Sequence, residues 1–150
     1  MSSPRPTGAP DAGSTGPASQ RPTPPDSLAR AGAIAIAATR IGIGIGALAL
    51  TRPALGLLGF ENADGATVAL ARMAGARDIA LGVQGLLTRD DAEGLRKATI
   101  LARAVDAGDA FAFAAALVNR DGIDRTALKN LPIAGGAVVA GGWLAARLRR

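Results

Sequence analysis

Four stretches of this chain, about residues 31–50, 66–87, 98–118 and 131–147, are built mainly from Ala, Gly, Leu, Ile and Val, and each is about 16–23 residues long. A helix needs about 20 residues to cross roughly 30 Å of hydrocarbon, so each stretch has the length of one bilayer span. In "GALALTRPALGLLGF" and "PIAGGAVVAGGWLAA" the residues are apolar or glycine nearly all round. A helix without a polar side belongs inside something, most economically lipid. The pattern predicts an all-α fold, a four-transmembrane-helix bundle. The competing reading is a soluble, alanine-rich four-helix bundle, which needs one polar face per helix and tolerates interior glycine poorly, at about 1 kcal/mol each relative to alanine.

Ahead of the first stretch, residues 1–27 contain no Leu, Ile, Val, Phe or Trp, and eight of the nine prolines fall there or at Pro53. Such a segment cannot bury enough apolar surface to offset its backbone entropy, so a disordered arm is expected, with the folded domain over 28–150. It lacks the charged-then-apolar order of a secretory signal, and its prolines forbid the amphipathic helix of a transit peptide.

Absences narrow the chemistry further. The chain has no His, no Cys and no Tyr, and every Ser lies in the arm. That removes histidine bases, Ser-His and Cys-His nucleophiles, the usual zinc sites and disulfides. A carboxylate site for Mg²⁺ at Asp106 and Asp109 would compete with neighbouring arginines. No catalytic residue, metal or cofactor is therefore expected. Nucleic acid is not an expected partner either: of 17 basic residues 15 are Arg, several inside apolar runs, and only Phe60, Phe111, Phe113 and Trp143 are aromatic.

Residues 39–50, "TRIGIGIGALAL", admit three readings. Period-two alternation suits a strand; Gly42, Gly44 and Ala47, with Asp64 some twenty residues on, suit a dinucleotide-binding turn; Gly42 and Gly46 form the Gly-x-x-x-Gly face of packed membrane helices. Nothing else in the chain supplies a parallel sheet, which leaves the helical reading. Gly44 then becomes a further point of close approach, and Gly75, Gly82 and Gly85 in the second stretch and Gly136 in the fourth extend the same packing theme.

Seven ionisable residues fall inside the expected spans: Arg40, Arg72, Arg77, Asp78, Arg103, Asp106 and Asp109. Each costs about 2.5–3.5 kcal/mol at the centre of a membrane helix, so they must face one another or a wet cavity. Arg103 and Asp106, three apart, are placed to pair locally, which sends Asp109 to Arg72 or Arg40. Arg77 and Asp78 point about 100° apart and are expected to bind neighbours rather than each other. The network is either a lock that fixes helix order, as in a structural or interaction subunit, or the working part of a small proton- or solute-coupled carrier acting as an oligomer.

Outside the spans, Arg5, Arg21, Arg30, Arg89, Arg96, Lys97, Arg147, Arg149 and Arg150 share one side, against Arg52, Arg120, Arg125 and Lys129 on the other. The excess places both termini in the cytoplasm, with Trp143 as an interfacial anchor. The lipid bilayer is the expected partner, with a second copy or another membrane protein against the small-residue faces.

In "ARMAGARDIALGVQGLL" and "RAVDAGDAFA", preceded by "RPALGLLGF", the chain resembles a family of small four-helix integral membrane proteins of bacteria to which no activity is assigned. The resemblance rests on Arg72, Gly75, Arg77, Asp78 and Gly82 with Arg103, Asp106 and Asp109. It implies multi-pass residence in the bacterial inner membrane and no particular chemistry.

Overall fold

The computed structural model describes residues 27–149, so the arm, except for Ser27, lies outside the described residues. Those residues form five helices and no strand: α1 (Ser27–Ala49), α2 (Thr51–Leu57), α3 (Gly65–Leu87), α4 (Ala92–Asn119) and α5 (Asp124–Arg147). The all-α expectation holds. Ile41–Gly46 lies within α1, and Asp64 caps α3 by accepting from Thr67 N at 2.8 Å, so neither takes part in a dinucleotide turn. Hydrogen bonding from Thr67 holds the Asp64 carboxyl below its usual range.

Helix boundaries follow backbone chemistry. Pro53 has no N–H for the Ala49 carbonyl, and α1 ends at Ala49. The chain does not leave the helical direction for long. Thr51 Oγ1 donates to Ala47 O at 2.7 Å, and α2 resumes with Pro53 in its first turn. α4 begins six residues before the expected span because Asp91 accepts from both Glu93 N and Gly94 N. Arg96 and Lys97, expected in a loop, thus stand in its first two turns opposite Glu93, at 3.6 and 3.5 Å. α5 starts at Asp124, well before the expected 131, and Pro132 lies in its interior.

The four long helices run up, down, up and down. At one end, Ala29 and Ala33 of α1 meet Leu95 of α4, Leu144 of α5 and Leu148 just after it, while Arg30 reaches Asp90 at 2.7 Å. At the other end, the turn after α2 meets the start of α5. Packing is uneven: α1 lies chiefly on α3 and α4 chiefly on α5, with far less contact between the two pairs.

The α1–α3 seam is made by Ala37, Gly44, Gly75, Gly82 and Gly85. A methyl group on Gly75 would come within 2.8 Å of Ala47 Cβ, one on Gly85 within 2.8 Å of Ala37 Cβ, and one on Gly82 within 2.6 Å of Ile41 Cγ1. Gly44 packs directly against the Gly75 carbonyl. The expected seam at Gly42 and Gly46 is corrected, for both face open space, as does Gly136. Two residues along a helix is a turn of about 200°, so a helix that presents Gly44 to its neighbour points Gly42 and Gly46 away.

Candidate functional site

Arg40, Arg77, Asp78, Asp106 and Asp109 fall in the middle thirds of α1, α3 and α4 and converge between the two helix pairs. Arg40 stands at the centre. Its Nη1 donates to Asp78 Oδ1 at 2.7 Å and its Nη2 to Asp106 Oδ1, so one guanidinium serves carboxylates on two other helices. Arg77 makes a two-toothed pair with Asp109, at 3.0 and 2.8 Å, and keeps 3.9 Å to Asp78. The planar fork of arginine suits both arrangements, since it presents parallel donors that a lysine ammonium lacks.

Three finer expectations are corrected. Arg103 does not pair with Asp106, because Arg40 has taken that carboxylate; its Nε donates instead to Val138 O of α5 at 3.1 Å. Asp109 takes Arg77 and neither Arg72 nor Arg40. Arg72 stays out of the network and donates to Thr51 Oγ1 at 3.2 Å. Arg77 and Asp78 do turn to different principal partners, as their angular separation dictates.

The network borders a cleft of about 1030 Å³ between the helix pairs. Its walls are mostly apolar, with Ile36, Ile43, Leu81, Phe113 and Ile133 among them, and the charged groups enter at mid-height. Such a cavity, apolar with a few convergent polar groups, has the size and character of a small-molecule site. Among the described residues no cluster of His, Cys, Asp or Glu is arranged to hold a metal ion.

A second polar group lies between the apolar stretches that end at 118 and begin at 131. Thr126 Oγ1 donates to Gly59 O at 2.8 Å, and Asn130 Nδ2 donates to Leu58 O at 3.0 Å and to Thr126 O at 2.8 Å. Both side chains are buried. Their i, i+4 spacing, polar residues one turn apart before an apolar run, was the available signal. They tie α5 to the turn after α2, where Gly59 adopts φ +93°. Asn130→Leu is expected to leave the Leu58 carbonyl without this partner and to cost about 1–3 kcal/mol in chemical unfolding, whereas Leu128→Ala on the exposed side should cost little.

At the first end, the Arg147 guanidinium lies 5.4 Å from the centroid of the Trp143 ring, a cation–π contact one turn apart on α5. No family model, curated protein or solved structure matches the chain.

Proposed function

We propose that the chain is a small integral membrane protein whose four long helices all span the bilayer, and that its Arg/Asp network fixes helix order in a structural or interaction subunit. The observation that carries this reading is an inversion of polarity. At mid-height Arg40, Asp78 and Asp106 point inward, only 11%, 16% and 13% exposed, Arg77 and Asp109 are partly covered, and Arg72 and Arg103 are exposed. Met73, Phe111 and Val139 point outward, between 67% and 75% exposed. A soluble bundle does the reverse.

The interior agrees. It is filled mainly by alanine and glycine, and Leu95 is the largest side chain fully enclosed. That is too thin a core for water to hold together and is ordinary for helices that associate in lipid by close backbone approach. Of the described helices, α1 is the one long and apolar enough by composition to cross a membrane. In this reading α3 and α4 fall short because their sequences carry the charges turned into the network. Arg30, Arg89 and Arg147 then mark the cytoplasmic end, in keeping with the resemblance to bacterial inner-membrane proteins.

Washing membranes from cells that express a tagged copy, first with carbonate and then with high salt, tests the proposal. Retention in the pellet through both washes is expected. Release into the supernatant would end the membrane reading and would turn the exposed apolar belt into a protein-protein interface.

A further inference from the structure

The cleft holds three guanidinium groups and three carboxylates, and they are not shared evenly. Asp78, Asp106 and Asp109 all have an arginine partner, Arg40 or Arg77. Arg103, which also lines the cleft, has no carboxylate within 4.0 Å among the described residues. Its side chain is nevertheless positioned. Nε is tied to Val138 O, and the guanidinium lies across the paired glycines of α5, so close that a methyl group on Gly142 would stand 3.2 Å from Nε and one on Gly141 would stand 3.2 Å from Cβ. Among the described residues neither Nη group has a hydrogen-bond acceptor.

The geometry points to a binding site for a single-chain amphiphile with a carboxylate head, the head on the Nη pair of Arg103 and the chain along the apolar walls. One guanidinium presents two parallel donors that match the two oxygens of a carboxylate. A phosphate dianion would ask for a second free cation, and Arg40 and Arg77 are already engaged. A cationic head finds every cleft carboxylate occupied. From Leu95 to Phe113 the cleft follows α4 for about 27 Å at 1.5 Å per residue, which leaves room for an extended acyl chain on either side of Arg103. The site does not rest on membrane residence, since the cleft and its free guanidinium belong to the bundle whatever surrounds it.

The test is equilibrium binding of radiolabelled dodecanoate to the purified full chain, in phosphatidylcholine nanodiscs, or in plain buffer if carbonate releases the protein. Dodecanol, dodecyl phosphate and dodecyltrimethylammonium serve as matched probes. Saturable dodecanoate binding is expected, weakened about tenfold or more by Arg103→Gln, with dodecanol binding unchanged. Arg103→Lys should restore only part of the loss, because it keeps the charge and removes the fork. Gly142→Ala, which keeps the arginine but crowds its guanidinium, should weaken dodecanoate severalfold and serves if Arg103→Gln fails to fold. Arg72→Gln, on an arginine outside the cleft, should change nothing. Equal binding of the cationic probe, tighter binding of the phosphate, or wild-type affinity in both Arg103→Gln and Gly142→Ala would each overturn the assignment.

Discussion

Arg40→Met is expected to lower the stability of the bundle by about 3–5 kcal/mol, more than any other single substitution that removes no apolar bulk. The size follows from what remains. Asp78 and Asp106 would both stay among apolar walls, each without its principal cation, and the loss falls on α1, α3 and α4 together. The same physics predicts a rescue. Arg40→Met combined with Asp78→Asn and Asp106→Asn removes both charges along with their partner and should recover most of the loss, because a buried ion network is seldom worth more than a neutral replacement of the same shape. The network is not optimised for stability in any case: among the described residues Nε of Arg40 and Nε of Arg77 find no hydrogen-bond partner, though both are buried. Thermal unfolding followed by circular dichroism of the single and triple variants checks this. A single variant as stable as wild type would show that the carboxylates find other compensation, and a triple variant as weak as the single would assign the effect to lost packing around the arginine stem.

The second large effect is steric. Gly82→Leu is expected to separate α1 from α3 and to cost at least about 3 kcal/mol, because even the first carbon of the new side chain would lie 2.5 Å from the Ala37 carbonyl oxygen, a backbone atom that cannot swing aside. At Gly42, on the same pair of helices, a Cβ meets nothing within 4 Å, and Gly42→Leu should be neutral. Measured side by side, the two substitutions report which glycines form the seam. Equal stability of both variants would mean that α1 and α3 meet along another face.

That contrast also shows how far the sequence could be read. Helical blocks, their antiparallel order and the convergence of Arg40, Asp78, Asp106, Arg77 and Asp109 follow from span length, charge position and the cost of stranding charge among apolar groups. The register of the α1–α3 seam does not. Ile41–Gly46 alternates glycine with isoleucine, so two opposite faces of that turn carry glycine, and which one meets α3 depends on where Gly75, Gly82 and Gly85 lie in space. Pairing within the network was misassigned for a related reason. Arg103 and Asp106 are neighbours in sequence, but Asp106 is taken by Arg40 from across the cleft, a contact of residues 66 apart that local spacing cannot rank. The starts of α4 and α5 are different, since their signals were present. Asp91 followed by Glu93 marks a helix start, and Thr126 with Asn130 marks a buried polar turn, neither of which apolar content reveals.

The uneven packing bears on how the molecule is made. Each tightly packed pair is also a pair of neighbours along the chain, so α1 and α3 can close on each other while α4 and α5 are still being synthesised. The first hairpin already holds Arg40 against Asp78, and its two network arginines outnumber its one aspartate. The second hairpin brings Asp106 and Asp109, which with Arg103 amount to one net negative charge in the cleft, to meet that surplus. Opposite charge thereby gives two otherwise slippery hairpins a single rotational setting when they dock, and the last step of biogenesis becomes the neutralisation of one half of the molecule by the other.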